Sequence, residues 1–450
     1  MTSVEGDKEA PVHYDRHSPD YIDHFDDITH ELHSKCPIAW SDTYGGHWVA
    51  SGYKEVFEIA RDATLLSNDH DFRGERKSYQ GITIPSQPGR ASRGGFLEMD
   101  PPEQRDYRRI LDPYLSPAAV ARWTPMVEDL TRASLDERIE TGTIDFVDDL
   151  ANIVPAVMTL AMLGLPLVDW VIYCEPAHAG VYTPPDSPDM PRVIAAGMAM
   201  GQRLAESVID VRRNRWPGMV DALVTGQVCG APISDDDIRD TVILLIGGGF
   251  DTTTSLTAHS LEWLSEHPAE RDRLRADPHG LLDSATEEFL RFYTPAPGDG
   301  RTVTREHELS GKRLEEADRL WLSWSMANRD PSVFPDPDDV KIDRKHNRHT
   351  SFGLGLHRCI GSNVARSVFK TMLSAVLQRM PDYRCDPAGA VHYDTIGTIN
   401  GMKHLPATFT PGSRLGAGLD ETIAHWQRVV AEQRLAEPVV RGAQANDSVA

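Results

Sequence analysis

Apolar residues recur at helical spacing through most of the chain, and proline, glycine and capping residues mark the breaks between the periodic stretches. Residues 37–50, with apolar runs either side of Gly45-Gly46, predict a short hairpin. Ser116-Pro117 is a cap followed by a first-turn proline and predicts a helix running toward Arg138. Residues 145–164 form a second apolar-periodic segment, closed by Gly164-Leu165-Pro166, and residues 181–191 are a proline-rich break between two helical stretches. The longest pattern begins at Ser234, an N-cap followed by Asp235, Asp236 and Asp237, which suit the positive end of a helix dipole. It continues to about Glu266, where His267-Pro268 stops it, and at 1.5 Å per residue such a rod is roughly 48 Å long. One long central helix with short strands around 302–304 and 405–410 predicts a single, mainly α domain with a small β region.

The expected organisation is a flexible N-terminal segment over 1–20, a main domain over 21–413 and a C-terminal extension over 414–450. Within the extension, residues 420–437 predict a helix with Ile423, Trp426 and Val430 on one face, read as a surface helix or loose extension, and residues 441–450 have a disordered composition.

Composition narrows the class. The 450 residues are 40% hydrophobic, enough for a substantial core, and carry 46 Lys+Arg against 68 Asp+Glu, a net charge of −22. That balance argues against nucleic-acid and anionic-membrane binding. The first thirty residues hold no apolar run suited to a signal peptide, no stretch reaches the length of a membrane span, and five cysteines without close pairing fit a reducing cytoplasm.

Three constellations carry chemistry. Phe352-Gly353-Leu354-Gly355-Leu356-His357-Arg358-Cys359-Ile360-Gly361 puts one cysteine in a glycine-punctuated turn, after a basic pair and before a helix-like segment. A thiolate there gains from unpaired N–H groups and a positive helix end, and such a sulfur can serve as an axial haem ligand; the alternative is a buried structural cysteine. Gly247-Gly248-Gly249 lies mid-helix at a cost of roughly 2–3 kcal/mol relative to alanine, so either something approaches the backbone there or the helix opens locally. Asp251 and Thr252 then set an acid beside a hydroxyl, as a proton relay needs; the alternative is close helix packing, with the hydroxyls bonding back to the backbone. Glu288 and Arg291 stand three apart on one helix and can pair.

The segment 352–361 reads F-G-x-G-x-H-x-C-x-G and resembles the haem-binding signature of the cytochrome P450 superfamily. The glycine-interrupted helix, the E-x-x-R of 288–291 followed by Tyr293-Thr294-Pro295, and Ala327-Asn328-Arg329-Asp330-Pro331 follow the same family order, so the resemblance spans roughly residues 20–412. It implies the P450 fold with the long helix over haem b (iron protoporphyrin IX), and a soluble, bacterial-type haem-thiolate monooxygenase. It makes Cys359 the metal ligand, with Phe352, Gly355 and Gly361 of the same loop binding the haem, sets Gly248 and Gly249 on the oxygen side, and makes Asp251 and Thr252 the catalytic proton donors. Glu288 and Arg291 become a structural ion pair whose third partner is either Arg344 or His349. Arg301, Arg108 and His357 match residues that hold the haem propionates. Gln104 stands where histidine is common among bacterial members and, like Asp299-Gly300-Arg301, is similar to camphor hydroxylase; its amide can still donate a hydrogen bond to a propionate, so it too is expected to bind the cofactor.

With no flavin or nicotinamide fingerprint, the resemblance implies electrons from a separate ferredoxin-type donor with its ferredoxin reductase, and Arg105, Arg109, Arg358 and Arg366 are candidates for its docking patch. The expected partners are O2 and a small, mostly apolar organic substrate, without nucleic acid or membrane anchor. Candidate pocket segments are 80–99, 176–200, 244–248, 294–299 and 395–399. The competing readings are a peroxide-using or isomerising haem-thiolate enzyme, which needs no acid–alcohol pair, and a non-catalytic haem sensor.

Overall fold

The computed structural model describes residues 11–71, 79–86, 90, 92–184 and 187–438. Parts of the proline-rich break and of the 80–99 pocket segment, and the 441–450 tail, lie outside the described residues. Ser234 caps the central helix Asp235–Glu266 by accepting the Asp237 N–H at 3.1 Å. The helix runs without interruption through its three glycines, so it does not open where the glycines suggested it could. From Thr253 to Leu261 every residue is buried, which puts the rod through the middle of the fold. Ile153–Leu163, buried along its whole length, packs beside it and ends at Gly164 in the left-handed conformation that a helix C-terminus favours.

Two helical expectations are corrected. The helix opened by Ser116 stops at Ala121, and a second one runs from Thr124 to Arg138. Pro125 explains the break: it lacks an N–H, and its ring collides with the carbonyl four residues back, that of Ala121. The 145–164 segment opens as the strand Thr143–Asp145 and a widened π turn, Val147–Ala151, before its α-helix begins.

The β region lies to one side. The predicted hairpin forms between Ile38–Ser41 and His47–Ala50, with Trp40 opposite Trp48. Arg319–Ser323 then pairs parallel to His47–Ala50 and antiparallel to Gly298–Val303, and Leu66–Ser67 closes a five-stranded sheet. Arg301 sits within this sheet, opposite Leu320. The strand expected over 405–410 is Pro406–Thr408, paired to Arg384–Cys385 and Thr143–Asp145.

Both ends differ from their expectation. Residues 11–20 are not loose: Tyr14 and Arg16 are buried, and the Arg16 guanidinium lies 3.5 Å over the Trp321 ring. The extension docks. Helix Leu419–Gln433 buries the predicted face of Ile423, Trp426 and Val430 and packs on Thr124–Arg138. Trp426 Nε1 donates to Asp129 at 3.1 Å, and Asp136 accepts the Leu415 and Gly416 N–H groups at 3.0 and 3.1 Å.

Candidate functional site

The Cys359 loop is a tight turn closed by the Cys359 N–H donating to the Phe352 carbonyl at 2.7 Å. Gly355 is required at its corner. Its φ is +70°, and a Cβ there would stand 2.3 Å from the Ala60 carbonyl oxygen. Immediately after Gly361, whose N–H reaches the sulfur, helix Ser362–Arg379 begins. The thiol is accessible although it lies deep in the protein, so it faces an internal hollow. Burial pushes its pKa up, against the Gly361 N–H and the charges of Arg358, Arg108 and Arg366 that favour the anion. The net effect is opposite to that expected from loop chemistry alone. A bound cation, which takes the thiolate, would supply the missing stabilisation.

The surroundings have the features a dianionic, flat cofactor demands. Arg301 is buried in the sheet, its pKa lowered by burial, and reaches the Asp299 carboxylate only at 3.9 Å. The His357 imidazole is driven down to about 3 by burial and then by Arg301 and Arg108, and its Nδ1 is buried without a hydrogen-bond partner. A carboxylate placed between them would satisfy both groups. Arg108 and Gln104 contact the loop itself. Arg108 Nη1 donates to the Arg358 carbonyl at 2.8 Å and Gln104 Nε2 to the Leu356 carbonyl at 2.7 Å, so both tie helix Glu103–Leu115 to the cysteine loop. Gln104 thereby directs a hydrogen bond at the loop backbone.

On the central helix, the three glycines divide. A Cβ on Gly249 would meet the Thr159 hydroxyl at 2.6 Å, so Gly249 serves the close helix packing named above as the alternative, whereas Gly247 and Gly248 have nothing within 4 Å. The Thr252 hydroxyl bonds back to the Gly248 carbonyl at 3.0 Å. Asp251 is buried beside two residues that sequence reasoning missed: His178 Nδ1 lies 2.6 Å from Oδ1, and the Tyr393 hydroxyl donates to both carboxyl oxygens at 2.9 and 3.0 Å. Burial and then Asp251 push the Tyr393 phenol far up, so it remains a donor. These partners stand 73 and 142 residues away and no local signal marks them.

Glu288 and Arg291 are fully buried and doubly bonded, at 2.9 and 2.8 Å. The third partner is Arg344, whose Nε contacts both Glu288 oxygens at 3.0 and 2.9 Å. The backbone carbonyl of Asp339 accepts from both Arg291 and Arg344. His349 pairs instead with Glu287, which also takes a two-pronged contact from Arg366 at 2.6 Å. Arg366 is thus engaged inside the fold, unlike Arg105, Arg109 and Arg358, which are exposed. From Arg291 the network continues through the Asn328 carbonyl (2.9 Å), and Asn328 grips Thr350 and Ser351 just ahead of the cysteine loop.

Known proteins are similar to this chain in sequence and fold. Residues 212–381 match the family model described as Cytochrome P450. The chain is 31% identical to cytochrome P450 105A3 of Streptomyces carbophilus over 80% of its length and 87% of that protein. It is 28% identical to linalool 8-monooxygenase of Pseudomonas putida, covering 86% and 95% of the two chains. The solved structure of a mutant of P450 EryK with erythromycin B superposes with a TM-score of 0.75 at 26% identity, over 89% of this chain and all (100%) of that one.

Proposed function

The chain belongs to the cytochrome P450 family, and from that premise we propose that Cys359 is the thiolate ligand of its haem iron and that Asp251 and Thr252 deliver protons on the opposite side. The activity is haem-thiolate monooxygenation: one atom of O2 enters an organic substrate and the other leaves as water, with two electrons and two protons consumed. Haem b supplies the iron at which oxygen is reduced.

The observation that supports the residue assignment is the accessible Cys359 thiol, set in the glycine-shaped loop beside the Gly361 N–H. In this reading Phe352, Gly355 and Gly361 shape the loop. Arg301 and His357 bind the propionates, and Arg108 and Gln104 brace the same loop from the helix that precedes it. Thr252, donating to the Gly248 carbonyl, keeps its lone pairs free to accept a proton-bearing group from the hollow. Glu288, Arg291 and Arg344 hold the scaffold behind it.

The main domain of this reading is 21–413. The substrate is a small, mostly apolar molecule, a reading supported by the few charges in 244–248, 294–299 and 395–399 and by a relative named for acting on linalool. Electrons come from a ferredoxin-type donor and its reductase, docking near Arg105, Arg109 and Arg358. The five free cysteines suit the cytoplasm, and among the described residues no helix is long and apolar enough to cross a membrane.

Cys359→Ser tests the central assignment. The purified variant is expected to lose the red-shifted Soret band that the ferrous–CO complex of a thiolate-ligated haem gives. A variant that keeps the band overturns the assignment.

A further inference from the structure

The second half of the central helix carries His259 and Glu262, three residues apart and therefore on one face. Strand Val391–His392, on a hairpin with Met402–His404, brings His392 to the same face. One donor atom from each of the three side chains lies within 4.8 Å of the other two. Glu262 Oε1 is 3.0 Å from His392 Nε2, and Glu262 Oε2 is 3.9 Å from His259 Nδ1. The carboxylate sits between the two imidazoles.

His259 has the features of a held ligand. It is 4% exposed, and its ring is stacked on Tyr293 at a centroid distance of 4.8 Å and an interplanar angle of 10°. Its Nδ1 faces Glu262, and Asn400 lies beside the ring. Two imidazoles and a carboxylate are the donor set of many zinc centres, with a water molecule as the fourth ligand. Bonds of about 2.0–2.2 Å put tetrahedral donors roughly 3.3–3.5 Å apart, so small side-chain rotations bring this trio into range. Glu266, one turn further along, adds a second negative charge beside His392.

We propose that His259, Glu262 and His392 form a Zn2+-binding site that fastens the 391–404 hairpin to the central helix. The position gives the ion leverage on the reaction space. His392 precedes Tyr393, whose hydroxyl holds Asp251 on that same helix, so an ion here stiffens the segment that fixes the acid.

The test uses metal-stripped, haem-loaded enzyme dialysed against micromolar Zn2+, with zinc and iron counted separately by elemental analysis, and a parallel Tm measurement. One zinc per iron is expected in the wild type, with a rise in Tm. Glu262→Gln and His392→Ala should weaken binding about tenfold or more, since loss of even an outer-shell partner costs that much at metal sites. His392 is half exposed, so its replacement leaves the core intact; the ferrous–CO band reports folding, and His392→Gln is a second substitution at that position. His404→Ala is the control, because His404 with Asp145 and Asp148 forms the other donor cluster among the described residues. Absence of stoichiometric zinc, wild-type affinity in both site variants, or loss of zinc only in His404→Ala overturns the proposal.

Discussion

Thr252 shows how one side chain serves two readings. Its hydroxyl donates to Gly248, four residues back, the ordinary behaviour of a helical threonine. The same bond orients the oxygen beside a glycine whose flank is open. Thr252→Ala removes the hydroxyl without disturbing packing, so electron uptake should continue while product formed per NADH falls and peroxide accumulates. Thr252→Ser should restore most of the coupling. Unchanged coupling in the alanine variant would remove Thr252 from the proton path. Asp251, gripped by His178 and Tyr393, must exchange at least one of these contacts before it can reach the hollow.

At the scale of the element, the haem-side core hangs on two adjacent glutamates of helix Pro278–Tyr293. Removing one partner from a buried pair such as Glu288–Arg291 strands the other charge and costs about 3–5 kcal/mol. Glu287 is the more informative of the two for pH. Burial pushes its carboxyl up, but Arg366 and His349 outweigh this and hold it at about 2 against an ordinary value of 4.5. A depressed folded-state pKa contributes stability that is fully present above 4.5 and is lost as pH falls toward 2. Because Arg366 stacks on Phe352 at 4.4 Å, that loss loosens the cysteine loop. Haem release followed by absorbance should therefore steepen between about pH 4.5 and 2. Glu287→Gln should be less stable at neutral pH and show a flatter profile across that window; a profile parallel to wild type would contradict the linkage.

For the whole molecule, the docked extension and the charge distribution make separate predictions. Trp426 is 7% exposed and hydrogen-bonded to Asp129, so Trp426→Ala should cost about 3–5 kcal/mol. Its Tm should fall while the ferrous–CO spectrum at low temperature stays unchanged; an unaltered Tm would mean that the extension contributes nothing to stability. On a chain of net charge −22, exposed arginines near the cysteine loop are local exceptions. Arg109→Glu with Arg358→Glu should slow reduction by the ferredoxin at low ionic strength, with the difference shrinking as salt screens it. Stopped-flow reduction rates that match wild type would exclude this face. Arg366→Glu should act differently, destabilising the loop, because its charge is engaged by Glu287.

The sequence by itself determined the parts governed by local chemistry: the Ser234 cap and the length of the central helix, the hairpin at Gly45-Gly46, the apolar face of the C-terminal helix, and the glycine-shaped turn around Cys359. Each depends on residues close together in the chain, where capping, φ preference and periodicity act directly. Only the tertiary structure decided that Arg344, and not His349, completes the Glu288–Arg291 pair, and that His178 and Tyr393 hold Asp251. It also removed Arg366 from the exposed patch and showed what the apolar face of the C-terminal helix packs against. Ion pairs and buried hydrogen bonds join groups that the fold brings together from tens to hundreds of residues apart, and their strength depends on burial, which no short stretch of sequence specifies.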